Sequence, residues 1–82
     1  MLDSPAERLQ ALFERLRVWR NGRAEADAVP PYVVASNAEL ADIARRRPAT
    51  LAALREVPGI GEGKAGRFGA DILAMVTSEQ GS

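Results

Sequence analysis

Val57-Pro58-Gly59-Ile60-Gly61-Glu62-Gly63-Lys64-Ala65-Gly66 is the stretch on which the fold class turns. Its second half, Gly61 to Gly66, has the G-x-G-x-x-G spacing of a dinucleotide-binding turn. That motif requires a strand before it and a βαβ unit around it. Pro58 and a short helical segment stand there instead. A phosphate-binding P-loop fails as well, because Pro58 occupies the place of its first glycine. Ala65 also follows Lys64 where a serine or threonine must hold magnesium. An α/β nucleotide fold is therefore excluded, and the stretch reads as a tight turn between two helices.

The same residues, Val57-Pro58-Gly59-Ile60-Gly61 with Lys64-Ala65 beyond, resemble the hairpin of helix-hairpin-helix proteins, which hold DNA without sequence preference. Glycines let a backbone approach a phosphate, and free amides at the next helix start point at it. Lys64 adds a positive charge. The alternative is a turn that only joins two packed helices.

Outward from this turn, the signals are all helical. After it, Ala65, Phe68, Ile72, Leu73 and Val76 mark a last helical stretch. Gly63, Gly66 and Gly69 lie within it at threefold spacing, which implies close approach of another backbone or a break into two short helices. Before it, Thr50 can cap a short helix carrying Leu51 and Leu54. Ser36-Asn37-Ala38-Glu39 is a capping box opening a helix with Leu40, Ile43 and Ala44 on its buried side, ending near Arg46 before Pro48. Val29-Pro30-Pro31-Tyr32-Val33-Val34 is apolar, and its two prolines favour an extended or turn-like path. At the front, Ser4-Pro5-Ala6-Glu7 is a second capping box with proline at the first helical position. Leu9, Leu12, Phe13, Leu16 and Trp19 repeat at helical spacing behind it, and Gly22 offers a stop near Asn21. Residues 23 to 28 read as a connection. No segment alternates like a half-buried strand, so the fold class is all-α, a compact bundle of about five short helices. The expected organisation is a disordered leader over 1–3, the folded domain over 4–77 and a disordered tail over 78–82. Its core is Leu12, Leu16, Trp19, Leu40, Ile43, Leu54, Val57, Ile60, Phe68 and Ile72.

Composition narrows the chemistry. The 82 residues contain no cysteine and no histidine. Disulfides, thiolate nucleophiles, the commonest general base and the commonest metal ligand are absent together. The carboxylates form no recognisable acid–base pair. The expectation is a non-catalytic domain with no cofactor and no metal. No apolar run approaches the ~20 residues that span a bilayer, and Met1 to Pro5 lack the pattern of a signal peptide. The expected location is cytoplasmic, associated with the nucleoid in a bacterium.

Eleven basic residues balance eleven acidic ones, so attraction to nucleic acid must come from local clusters. Arg15, Arg17, Arg20 and Arg23 follow one another with no acid between Glu14 and Glu25. Arg17 and Arg20 share a helical face. Arg45-Arg46-Arg47 closes the second long helix, where cations suit the helix C-terminus or neutralise phosphates. Tyr32, on its proline-stiffened segment, either stacks on an unpaired base or buries its ring with the hydroxyl at the surface.

Taken together, these pieces resemble the HRDC domain (helicase and RNase D C-terminal), most nearly those of RecQ-family DNA helicases. The resemblance lies in Leu12 to Arg20, Val29 to Val34, Ser36-Asn37 with Leu40, Ile43 and Ala44, and Pro48 with Thr50 and Leu54. It closes with Val57, Gly59-Ile60-Gly61, Lys64 and Phe68-Gly69, covering roughly residues 9 to 76. Asn37 stands where the family usually has aspartate. The resemblance implies a helical bundle without catalytic activity, an auxiliary module through which a helicase engages single-stranded or branched DNA, weakly here given the neutral charge. It implies DNA contacts at Tyr32 and at nearby basic residues, favouring Arg20, Arg45, Arg46 and Arg47; the arginine run of the first helix and the glycine-rich turn add Arg17, Arg23 and Lys64 as candidate DNA contacts. The alternative is a regulatory module docking on its helicase core or a partner, with little DNA binding of its own. The isolated domain is expected to be a monomer.

Overall fold

The computed structural model describes residues 4–81, with side chains described to residue 78. Five helices follow one another: α1 (Pro5–Asp27), α2 (Pro31–Val34), α3 (Asn37–Arg46), α4 (Leu51–Arg55) and α5 (Gly61–Gly81), with no strand among the described residues. The all-α expectation holds. Three helices begin where side-chain oxygens satisfy amides left free by the first turn. Ser4 Oγ accepts from Glu7 N at 3.1 Å and Thr50 Oγ1 from Ala53 N at 3.1 Å. Ser36 forms the full reciprocal box with Glu39: Ser36 Oγ accepts from Glu39 N at 3.1 Å, and Glu39 Oε1 from Ser36 N at 2.8 Å.

Two boundaries differ from the sequence reading. α1 passes through Gly22 and the expected connection to end at Asp27, with Ala28 in the left-handed region at φ 57°. A glycine inside a helix costs about 1 kcal/mol against alanine, but here the two turns beyond it recover interactions. Ala24 is buried, Arg23 Nε donates to Asp27 at 3.1 Å, and Val29 packs against the core. Val29 N donates to Ala24 O at 3.0 Å, closing the helix end in the manner of a Schellman motif. In the second difference, Pro31–Val34 forms one turn of α-helix where an extended or turn-like path was expected. Pro30 keeps the extended conformation and acts as the cap, and Pro31 sits at the first position, where a proline costs no hydrogen bond. Val34 and Ala35 are thereby buried.

Helices α1 and α3 form the main packed pair, α2 lies against α1, and α5 packs on both α4 and α1. The core joins Leu12 and Leu16 of α1 to Leu40 and Ile43 of α3, Leu54 of α4, Val57 and Ile60 of the turn, and Phe68, Ile72 and Val76 of α5. Every expected core residue is buried except Trp19, which is half-buried. Its ring meets Phe68 edge-on at 6.0 Å between centroids, and its indole N–H donates to Asp71 at 3.3 Å. A Trp at the core margin keeps its polar edge wet in this way.

α5 is unbroken, so the glycines do not split it. Of Gly63, Gly66 and Gly69, only Gly69 is closely packed. A Cβ there would meet Leu51 Cδ2 at 2.5 Å, whereas at Gly63 and Gly66 it would meet nothing. The close neighbour is a side chain, not a second backbone. The backbone of residues 78 to 81 continues the helix where a disordered tail was expected, and the expected leader over 1–3 lies outside the described residues.

Candidate nucleic-acid interface

Tyr32 stands on the single turn of α2 with 69% of its surface exposed. Val34, two residues on, is buried, so α2 is anchored through one side while the tyrosine ring faces out. Between the two readings open to the sequence, the exposed ring is the observed one. Val33 beside it is also exposed.

The basic residues divide into groups that the sequence does not distinguish. Arg20 is only 7% exposed. Its Nη1 donates to Ala35 O at 2.8 Å and its Nε to Asn21 Oδ1 at 2.9 Å. Burial, and secondarily the charge of Arg17, holds its pKa below the usual arginine value. Arg20 thus ties α1 to the end of α2 and does not reach the surface as a phosphate contact, correcting the expectation placed on it. Arg20→Ala should destabilise the domain by ~1–3 kcal/mol, because Ala35 O loses its partner within the fold. Thermal unfolding followed by circular dichroism measures this, and an unchanged midpoint would contradict the structural role.

Lys64 is likewise engaged. Its Nζ donates to Glu39 Oε1 at 3.0 Å, with both side chains largely covered. The Glu39 carboxylate also abuts Gly59. The glycine-rich turn therefore has a carboxylate of α3 against Gly59 and bonded to Lys64, with Gly59 at φ 90° and Gly61 at φ 58°. Arg17 forms a two-pronged pair with Glu14 at 3.0 and 3.1 Å. This pairing holds the Glu14 carboxyl below its ordinary value and raises Arg17. Arg23 reaches Asp27 at 3.1 Å and Asp71 at 3.6 Å and lies 5.1 Å above the Phe68 ring. Arg45 pairs with Asp42.

Arg46 is exposed and engages no described partner. Arg47 is the α3 C-cap at φ 47°, and its Nη2 donates to Arg8 O at 3.2 Å. The triplet is therefore three different environments within three residues. Sequence periodicity carried the signal for Arg20, since Leu12, Leu16, Arg20 and Ala24 form an i, i+4 series and all four are buried. Nothing local signalled Glu39 on Lys64 or Arg8 on Arg47, because these partners are 25 and 39 positions apart. Among the described residues no cluster of carboxylates is placed to hold a metal ion, and no helix is long and apolar enough to cross a membrane.

Comparison with known proteins agrees with this architecture. The HRDC domain family model matches residues 10–76. The chain is 39% identical over 67 residues to the ATP-dependent DNA helicase UvrD2 of Mycobacterium tuberculosis, covering 82% of this chain and 10% of that one. It is 34% identical over 65 residues to the ATP-dependent DNA helicase RecQ of Haemophilus influenzae, covering 79% of this chain and 10% of the relative. The chain thus spans about a tenth of the length of these relatives. Among solved structures, the D. radiodurans RecQ HRDC domain 3 superposes with a TM-score of 0.81 at 37% identity, covering 85% of this chain and 92% of that one. With the five-helix bundle, the family match and this superposition in agreement, the chain belongs to the HRDC domain family.

Proposed function

We propose that this domain is a non-catalytic accessory module of a RecQ-type DNA helicase, contacting single-stranded or branched DNA weakly and so modulating how the helicase holds its substrate. The observation that carries the reading is the exposed Tyr32 ring on a proline-anchored turn. A ring held outward by a stiff segment stacks on any unpaired base, because every base presents a π-face. Arg46 supplies an exposed cation that pairs with no carboxylate among the described residues. Arg17 and Arg45 add to it, since exposed ion pairs contribute only about 0–1 kcal/mol and exchange readily for a phosphate. Similarity to proteins named as ATP-dependent DNA helicases supports a helicase parent.

The test is fluorescence anisotropy with a short labelled single strand at two salt concentrations. Binding is expected in the nonspecific range, ~10⁻⁴–10⁻⁶ M at physiological salt, and should weaken as salt rises. Tyr32→Ala should remove ~1–3 kcal/mol of binding while leaving the salt slope nearly intact, whereas Arg46→Ala should flatten the slope. Circular dichroism confirms that both variants are folded.

A second reading, docking on the helicase core or another protein, is favoured by the pairing of Arg17, Arg23, Arg45 and Lys64 with carboxylates. No binding by the wild type at low salt and near-millimolar protein would decide for docking.

A further inference from the structure

A cleft of ≈ 270 Å³ lies between the first turns of α1 and the C-terminal end of α3, lined by Pro5, Arg8, Leu9, Ala44, Arg45 and Arg47. Three of its six lining residues are arginines and none is acidic. Arg47 is anchored by the 3.2 Å bond from Nη2 to Arg8 O. Its Nη1 is buried with no hydrogen-bond partner among the described residues. A buried guanidinium N–H calls for an acceptor. Arg8 is exposed and its side chain engages no described partner. Arg45 shares its charge with Asp42 but is exposed. The first turn of the 23-residue α1 also brings the positive end of a helix dipole to this cleft. In a chain with no net charge, these features concentrate positive potential at one place.

We propose that this cleft seats a backbone phosphate of single-stranded DNA, with Arg8, Arg45 and Arg47 as its cations. The inference rests on the DNA-contacting reading and extends it to a residue that the reading did not include, Arg8, and to a cleft in which Arg8 joins Arg45 and Arg47. Charge-assisted bonds from the exposed Arg8 and Arg45 guanidinium groups suit a phosphate oxygen, with the charge of the anchored Arg47 behind them, and Leu9 offers an apolar wall to the adjoining sugar. Arg20 holds Ala35, just before α3, while Arg47 at the other end of α3 holds Arg8. Helices α1 and α3 are therefore antiparallel, and the cleft lies one helix length from α2. Ten residues of α3 span about 15 Å, so a strand stacked on Tyr32 follows α3 to reach the cleft.

The experiment is a titration of ¹⁵N-labelled protein with an unphosphorylated oligothymidylate and, separately, with inorganic phosphate. The arginine Nε–Hε signals are followed by NMR, and affinity and salt slope are measured by anisotropy. The variants are Arg8→Ala, which retains the backbone carbonyl that Arg47 uses and suits a helix, and Arg8→Glu. The oligonucleotide should shift the Arg47 and Arg8 signals. Arg8→Ala should weaken binding several-fold and lower the salt slope by about 0.7, the value of one phosphate contact on a single strand. Arg8→Glu should weaken it further, with thermal midpoints near wild type in both. Wild-type-like binding and slope in Arg8→Glu, with Tyr32→Ala still impaired, overturns the cleft and leaves the DNA reading standing. Absence of binding by the wild type overturns both. Shifts with inorganic phosphate but none at these arginines with the oligonucleotide assign the cleft to free anions and overturn the proposal.

Discussion

Leu16→Ala should lower stability by ~2–5 kcal/mol, the range for emptying a fully enclosed leucine site. Leu16 is 0% exposed and belongs to the single core shared by α1, α3, α4 and α5. The loss has two parts: the transfer free energy of the removed atoms and the cavity that neighbours only partly close. A domain of this size buries only ~60–70% of the surface its unfolded chain exposes. At about 4–8 °C per kcal/mol for a domain of this length, the thermal midpoint should fall by at least ~8 °C. Urea unfolding followed by circular dichroism provides the free energy. A loss below ~1 kcal/mol would mean that neighbouring side chains refill the site and that α1 and α3 are not tightly packed there.

Gly59→Ala should be the most damaging change outside the helices. At φ 90° the backbone is in a region that an L side chain rarely adopts, and a Cβ at this position would collide with the Glu39 carboxylate. That carboxylate cannot withdraw at little cost, because it accepts from both Ser36 N and Lys64 Nζ. The backbone term contributes ~1–2 kcal/mol and the displaced contact another ~1–3 kcal/mol as overpacking. Gly63→Ala serves as the control. It lies inside α5 with open space at its Cβ position, so it should be neutral or stabilise the helix by up to ~1 kcal/mol. A Gly59→Ala variant as stable as wild type in urea would show that the α3–turn contact moves freely.

The contrast between these two glycines shows how far the sequence could be read. The glycine-rich stretch identified a turn between helices, which settled the fold class. It did not distinguish Gly59, pinned against Glu39, from Gly63, which faces open space. The same division runs through the arginines. Arg20 is spaced like a core residue and behaves as one, yet its charge marked it for the surface. A guanidinium is buried when acceptors meet it inside, and that acceptor, Ala35 O, comes from another element.

The sequence by itself determined where the helices α1, α3 and α4 begin, that all the described elements are helical, most of the large apolar residues of the core and to which family the chain belongs. These depend on interactions between neighbours three or four positions apart, or on spacing along one helix face, and both are written in local order. The tertiary structure alone decided where α1 ends, that Tyr32 is exposed, and which cations remain available. Val29 docking on the core draws α1 past Gly22. Glu39 claims Lys64 across 25 residues, and Arg47 reaches Arg8 across 39, both lining one cleft. The availability of a charge is set by what other elements bring within about 3 Å of it, the reach of a hydrogen bond, and no spacing within one helix encodes that.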